Sequence, residues 1–319
     1  MFSFQYRRYN ICVVVYGNSI GYGLSVDERV MNIRGFYINL DRSTDRRRRM
    51  EWQLERLSLL GSYTRHVAVK GNVPQIKGSP LTDGEIGCFA SHCAVLQRAA
   101  ALGRAVHVME DDVLLSGEAS VLLADIPQSG WLDQFDIVFT ETFIPIDLEY
   151  LRFYWSAYRT FRQAKDAGTA NSSFSILDLR HRLFAGMTSY VVSAKAAATI
   201  GLLLEQELQR GPAAPVDLFV RKLIHEGHLR AACIFPFVTS IDLRDALATT
   251  IANRYGGHES VLACNILRYS FFVECDWHLC RQLIAQFFPD FRPDLYANQH
   301  QELILRMAAF KMFGNYRQF

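Results

Sequence analysis

The chain has 319 residues, a formal net charge of +2, and a composition that is 50% hydrophobic and 21% charged. This composition excludes a collagen-like, disordered or linker-dominated protein, and the near balance of 34 basic and 32 acidic residues gives no general attraction for nucleic acid. Because its apolar runs are too short for a membrane-spanning helix or a signal peptide, we expect a globular protein that stays in the cytoplasm.

The first 30 residues differ from the rest of the chain. An isolated apolar run follows Arg7 and Arg8. The glycines after it lack the strand-then-helix setting of a dinucleotide fingerprint. Met31 then opens a segment that has the pattern of a domain start. We interpret residues 1–30 as an extra edge strand or an artefact of the assigned start site.

From Gly35 onward, strand patterns alternate with helical spacing. The predicted strands cover residues 35–40, 63–69, 105–109, 136–140, 188–193 and 229–237. The predicted helices cover residues 43–60, 82–102, 194–208 and 216–226. The second helix opens with a capping box, in which Thr82 and Glu85 satisfy free backbone amides. This order predicts an α/β fold with a mainly parallel sheet, whose ligands bind beyond the carboxyl ends of the strands.

Residues 145–181 interrupt the alternation and are interpreted as an inserted helical hairpin or lid. One helical face of this segment carries the aromatic residues Tyr150, Phe153, Tyr154, Tyr158 and Phe161. Such a face suits a membrane surface or a sugar, or it covers the sheet as an ordinary amphipathic helix.

The chain after Asp242 shows helical spacing over residues 259–288 and 293–313, which predicts a C-terminal helical subdomain, residues 242–319. Its aromatic end, residues 310–319, is a second candidate for peripheral membrane attachment. Cys264, Cys275 and Cys280 match no zinc-binding spacing and are interpreted as buried free thiols.

Three consecutive acids, Glu110, Asp111 and Asp112, follow the buried strand 105–109. Like charges there resist desolvation unless a cation or hydrogen-bond donors compensate them. Because side chains alternate along a strand, Glu110 and Asp112 can face one point while Asp111 faces away. Two such carboxylates suit a hard divalent cation bound to a nucleotide. An acidic turn without a ligand has the same pattern.

Several motifs follow one another between residues 33 and 241. They are Phe36-Tyr37-Ile38-Asn39-Leu40-Asp41-Arg42-Ser43 with Asp45-Arg46, Gly84-Glu85-Ile86-Gly87-Cys88 with Ser91-His92, Glu110-Asp111-Asp112, Gly186 with Ser189-Tyr190-Val191-Val192-Ser193, and Pro215-Val216-Asp217. In this order they resemble glycosyltransferase family 25, which includes bacterial lipooligosaccharide galactosyltransferases and the related collagen galactosyltransferase domains. The sequence departs from the family at Leu96, where many relatives have Trp, and in residues 145–181.

The resemblance implies a GT-A-like catalytic domain over residues 31–241. It implies a metal-dependent, inverting transfer of a hexose, galactose from UDP-galactose, to a glycan of lipooligosaccharide, lipopolysaccharide or another bacterial surface polysaccharide. Glu110 and Asp112 would hold Mn²⁺ or Mg²⁺. The glycan acceptor is lipid-linked in such pathways, which would place the enzyme peripherally on the inner face of the cytoplasmic membrane.

The candidate site residues come from these motifs. Those expected to contact the nucleotide are Asn39, Arg42, Arg46, His92 and Asp111. The acids that could take the acceptor's proton are, in order, Asp217, Glu141 and Glu85. Most also have a structural interpretation: Arg42 as a solvated arginine, Glu85 as the capping residue, His92 as a core histidine and Asp217 as a helix cap.

Two other functional classes are considered for a chain with this pattern. A non-catalytic interaction module with this fold would present its helical tail to a partner, but it would not need Glu110, Asp112 and Asp217. A metal-dependent phosphohydrolase also places acids at strand ends. It normally adds a nucleophile or more clustered carboxylates.

Overall fold

The structure is a computed structural model that describes residues 3–6, 11–14, 34–71, 78–145, 148–167, 174–244, 258–276, 278–280 and 282–283. Its strands are β1 Ser3–Tyr6, β2 Ile11–Val14, β3 Gly35–Asn39, β4 Tyr63–Val67, β5 Val106–Glu110, β6 Val113–Leu115, β7 Ile137–Phe143, β8 Ser175–Asp178, β9 Ala185–Val192, β10 Ala231–Phe235 and β11 Thr239–Ile241. Its helices are α1 Thr44–Arg56, α2 Asp83–Ala101, α3 Ala119–Asp125, α4 Trp131–Gln134, α5 Leu148–Asp166, α6 Ala194–Arg210, α7 Val216–His225 and α8 His258–Ser270.

The central sheet has seven strands in the order β4-β3-β5-β9-β7-β10-β8. β3 pairs in parallel with both β4 and β5, and β10 pairs in parallel with β7. β9 lies antiparallel between β5 and β7, and β8 lies antiparallel to β10. The predicted α/β fold is confirmed, with a mixed sheet in which two strands run against the other five.

Both faces of the sheet are covered, and alternate residues of each strand enter different cores. Phe36 and Ile38 of β3 pack in one core with side chains from α2, α5, α6 and α7. Tyr37, between them, packs in the other core with side chains from α1, α3 and α4. The sequences of the strands are almost continuously apolar because both faces of the sheet are buried.

The segment over residues 145–181 is not a helical hairpin, so that prediction is wrong. Its first half is α5, and its second half enters the sheet as the edge strand β8. Four of the five aromatic residues predicted to share a face are buried: Tyr150, Phe153, Tyr154 and Phe161. That face covers the sheet, as the amphipathic alternative predicts, so these four side chains do not face a membrane or a sugar.

The two ends of the chain are described in part. β1 and β2 pair antiparallel as a separate two-stranded sheet. α8 contributes to a third core cluster that includes Ile241 and Cys280. Cys275 and Cys280 are free thiols, as predicted. Cys280 is buried, whereas Cys264 and Cys275 are only partly buried. The predicted helix 293–313 and the aromatic end 310–319 lie outside the described residues. Among the described helices, none is long and apolar enough to cross a membrane.

Candidate functional site

A cavity of about 350 Å³ lies where β3, β4 and β5 end. Its walls come from the turn after β3, the loop after β4, the first half of α2 and the end of β5. β3, β4 and β5 are parallel, so their carboxyl ends lie at one edge of the sheet. This is the edge where open α/β sheets bind ligands.

The wall formed by α2 begins with the predicted capping box, which is confirmed. Thr82 accepts a hydrogen bond from the Glu85 backbone N–H, and the Glu85 carboxylate accepts one from the Thr82 backbone N–H at 2.7 Å. Glu85 is buried and is not among the residues that line the cavity. Its carboxylate therefore stabilises the start of the helix.

The same helix lies close to the loop after β4. A Cβ atom on Gly87 would lie 2.7 Å from the carbonyl oxygen of Val69, so only glycine fits there. Ser91, one turn further, accepts a hydrogen bond from the Val69 N–H at 2.8 Å. These two contacts explain, in physical terms, the glycine and serine of the signature over residues 84–92: they hold the loop against α2.

His92 lies on α2 beneath the acidic triplet and is fully buried. Its Nε2 is 3.2 Å from Oε1 of Glu110, and its Nδ1 is 3.1 Å from the hydroxyl of Tyr190. Cys88, one turn before His92, has its sulfur 3.8 Å from the same Glu110 oxygen. His92 and Cys88 line the cavity together with Glu110.

Asp111 points to the β3–α1 side of the cavity. Its carboxylate accepts hydrogen bonds from the Asn39 amide at 2.6 Å and from Arg46 at 3.2 Å. Burial raises the pKa of Asp111, and the Asn39 and Arg46 contacts oppose that shift. Asn39 is itself buried, donates to the Ser43 carbonyl and accepts from Arg65 at 2.8 Å. In this structure Asn39 thus positions Asp111 from behind the cavity wall.

Asp112 is the least compensated of the three acids. Its Oδ1 is buried with no hydrogen-bond partner among the described residues, and its Oδ2 is 3.7 Å from Arg46. Burial, and then the charge of Glu110, raise the pKa of Asp112 to about 7. The backbone here is fixed, because the Asp112 carbonyl accepts from the Asp242 N–H at 3.0 Å and β6 pairs with β11 directly after it.

These acids fit a divalent cation. Glu110 offers a carboxylate at the cavity, and Asp112 offers a buried oxygen that no donor satisfies within the described part of the chain. A hard divalent cation, which prefers oxygen ligands, would compensate the charge of these two carboxylates. Cys88, His92 and Glu110 form a second possible ligand group, whose ligand atoms all lie within 4.8 Å of one another.

Three cationic side chains, Arg42, Arg46 and Lys70, also line the cavity. Arg42 is exposed, whereas Arg46 is partly buried against Asp111. The cavity therefore combines cations from the turn after β3, α1 and the loop after β4 with carboxylates from the end of β5. A nucleoside diphosphate with a bound metal has the charges that match this arrangement.

Asp217 lies at the start of α7, partly buried, and its Oδ2 accepts a hydrogen bond from the Gly186 N–H at 2.8 Å. Its charge acts on the Cys88 thiol together with the charges of Glu110 and Asp112. Asp217 is thus close to the cavity wall formed by Cys88, although it does not line the cavity itself.

Glu141 is enclosed in the interior of the protein. It is fully buried, and its carboxylate forms a bidentate pair with Arg268 of α8 and a further hydrogen bond with Thr188. Arg268 is also close enough to act electrostatically on Asp112 and Glu110. The sequence does not mark Arg268 as a site residue, because nothing in the helical pattern of the tail distinguishes this arginine from the others.

The model of glycosyltransferase family 25, described as an LPS biosynthesis protein, matches residues 32–220. The matched region includes the cavity, the acidic triplet and Asp217, and it ends before Arg268. No curated protein matches the chain.

Proposed function

The chain belongs to glycosyltransferase family 25 and is a glycosyltransferase, and we propose that it transfers a hexose, galactose from UDP-galactose, with inversion to a glycan of bacterial lipopolysaccharide or lipooligosaccharide. The observation that carries the proposal is the set of charges around one cavity. Glu110 and Asp111, at the end of β5, line the same cavity as Arg42, Arg46 and Lys70.

The cavity is the proposed donor site. Loss of a nucleoside diphosphate from a sugar carbon builds negative charge on the leaving phosphate, so groups that neutralise this charge lower the barrier. Arg42 is exposed and free to turn toward phosphate, whereas Arg46 already holds Asp111 and Asp112 in place. We assign Arg42 to the nucleotide and Arg46 to the positioning of the acids.

Glu110 and Asp112 would hold the cation, Mn²⁺ or Mg²⁺. When bound, the metal would supply charge neutralisation to the diphosphate. The chain's own contribution is to hold the two carboxylates: His92 lies against Glu110, and the carbonyl of Asp112 is tied to Asp242. Asp111 is occupied by Asn39 and Arg46 and shapes the turn between them.

Asp217 is the proposed base. One carboxylate oxygen is engaged by the Gly186 N–H, which fixes the side chain and leaves the other oxygen for the acceptor hydroxyl. Glu141 is a weaker candidate, because Arg268 and Thr188 occupy its carboxylate in the interior. Glu85 is held in the capping box.

The proposal is tested by incubating the protein with a panel of sugar nucleotides and Mn²⁺ and measuring release of the nucleotide. We expect the fastest release from UDP-galactose, an increase when a lipooligosaccharide acceptor is added, and loss of release in EDTA. Asp166→Asn, an exposed carboxylate on α5, is the matched control for removal of an acid and should behave as the wild type.

The result that would overturn the donor assignment is equal release from every sugar nucleotide, or release that EDTA leaves unchanged. Release that never depends on an acceptor would indicate hydrolysis in place of transfer.

A further inference from the structure

We propose that Cys88, His92 and Glu110 form a binding site for a thiophilic divalent cation, Zn²⁺, at the wall of the donor cavity. The site itself is inferred from the geometry of these three side chains. Only its consequence for catalysis rests on the proposed function, because Glu110 would also be a ligand of the catalytic cation.

The three ligand atoms lie within 4.8 Å of one another, slightly further apart than the ligands of a bound zinc ion. Cys88 and His92 are four residues apart on α2, so they share one face of the helix. The Glu110 oxygen lies 3.2 Å from His92 Nε2 and 3.8 Å from the Cys88 sulfur. Ligand atoms on one tetrahedral zinc are about 3.3 to 3.6 Å apart, given metal–ligand distances of roughly 2.0 to 2.3 Å. Small side-chain movements would therefore complete the site.

The hydroxyl of Tyr190 lies behind His92 and can orient the His92 ring as a metal ligand. The Tyr190 hydroxyl is 3.1 Å from Nδ1, so Nδ1–H can donate to it and leave the Nε2 lone pair toward the cation. Metal-binding histidines usually donate their second N–H to a partner of this kind, which fixes the ring. Tyr190 is fully buried between His92 and Phe139 and cannot easily turn away.

The surroundings favour a cation that keeps one open position. The Glu110 carboxylate lies beside the Cys88 sulfur, so the local field is negative. Cys88 and Glu110 are partly exposed and all three ligands line the cavity, which gives an entry path and a fourth position for water or phosphate. Three protein ligands with an open fourth position are typical of accessible zinc sites.

The consequence is competition for Glu110. Thiolate and imidazole ligands select Zn²⁺, whereas Glu110 and Asp112 together offer only oxygen and suit Mn²⁺ or Mg²⁺. Zn²⁺ bound to Cys88 and His92 would draw Glu110 away from Asp112. We therefore expect Zn²⁺ to inhibit the transferase, with inhibition that decreases as Mn²⁺ is raised.

The test uses Co²⁺ as a spectroscopic substitute for Zn²⁺ in the full-length chain without nucleotide. We expect a cobalt–thiolate charge-transfer band that Zn²⁺ removes. Cys88→Ser should abolish the band and weaken cobalt binding by about tenfold or more. The matched control is the double variant Cys275→Ser with Cys280→Ser. It removes two thiols whose sulfur atoms are 3.8 Å apart but which are not part of the proposed site, so the band should be unchanged.

A second measurement does not depend on whether Cys88→Ser folds. In the wild-type protein, Zn²⁺ should protect Cys88 from alkylation, as read by peptide mass spectrometry. Unprotected Cys88, a band that survives Cys88→Ser, or a band lost in the Cys275 and Cys280 variant would each overturn the inference. If the cobalt–thiolate band is absent while manganese-dependent UDP binding is intact, only the proposed zinc site is rejected. If the band is present but UDP does not bind in the presence of Mn²⁺, only the proposed function is rejected.

Discussion

The guanidinium group of Arg268, on α8, forms a bidentate salt bridge with the fully buried carboxylate of Glu141, on β7. Thr188 completes this network. The pair ties a helix outside the matched family region to the centre of the sheet, and Arg268 also acts on Asp112 and Glu110. α8 therefore contributes a buried positive charge whose field reaches the acidic triplet.

Removal of one partner of this pair should be costly. Arg268→Met leaves the Glu141 charge buried and unpaired, so we expect it to lower the free energy of unfolding by about 3 to 5 kcal/mol, measured by denaturant titration. Arg268→Met combined with Glu141→Gln should be less destabilised than Arg268→Met alone. Equal stability of wild type and Arg268→Met would contradict the buried ion pair.

The base is tested by comparing transfer with donor binding. Asp217→Asn should reduce the transfer rate by about 100-fold or more while UDP binding survives, because it removes only the proton acceptor. Glu141→Gln should affect transfer mainly through stability, so it is measured at a temperature where the variant stays folded. Normal transfer by Asp217→Asn would give the role to another acid.

Glu85→Gln separates the two interpretations of Glu85. Glutamine also serves as the third residue of a capping box, so the melting temperature should remain close to that of the wild type. If Glu85 only caps α2, transfer should also be retained. Thr82→Ala, which removes the other half of the box, should cost about 1 kcal/mol of stability. Loss of transfer in a stable Glu85→Gln protein would return Glu85 to the catalytic residues.

His107 makes the fold sensitive to acid. It is fully buried between the Tyr63 hydroxyl at 2.7 Å and the Ser189 hydroxyl at 2.9 Å, and burial lowers its pKa to about 3. The unfolded chain therefore takes up a proton near pH 6.5 that the folded chain does not bind until about pH 3. This contribution to stability is complete above the unfolded pKa and is lost as the pH falls.

The size of the effect follows from one proton. As the pH is lowered from about 6 to about 4, His107 should make the free energy of unfolding decrease by about 1.4 kcal/mol per pH unit. Denaturant titrations at several pH values measure the slope, which His107→Gln should reduce and the exposed-site control His228→Gln should not. Identical slopes for wild type and His107→Gln would exclude this explanation.

Much of the fold was predictable from local pattern. The strands β3, β4, β5, β7, β9 and β10 and the helices α1, α2, α6 and α7 lie close to their predicted positions, because apolar periodicity and the capping box at Thr82 are properties of short segments. The short elements β6, α3 and α4 had no predicted counterpart. The direction of β9 was not predictable, since an antiparallel strand buried on both faces has the same apolar pattern as a parallel one. β8 was missed because it has only four residues after a long amphipathic helix.

The site was predictable as a set of motifs but not as a set of contacts. The cavity brings together Arg42, Arg46, His92, Glu110 and Asp111, all of which were predicted candidates. The sequence could not indicate that Asn39 lies behind the wall, that Tyr190 supports His92, or that Arg268 meets Glu141. Each of these contacts joins residues far apart in the chain, so only the tertiary fold defines them.

In the proposed donor site, Asp112 and a divalent cation together bind the diphosphate of the nucleotide. Calorimetric titration of UDP into the wild-type protein, with Mn²⁺ and then with EDTA, tests it most directly beside Asp112→Asn and the control Asp166→Asn. We predict binding that requires Mn²⁺, persists in Asp166→Asn and is weakened by about tenfold or more in Asp112→Asn. Unchanged UDP affinity in Asp112→Asn with Mn²⁺ present would contradict the claim.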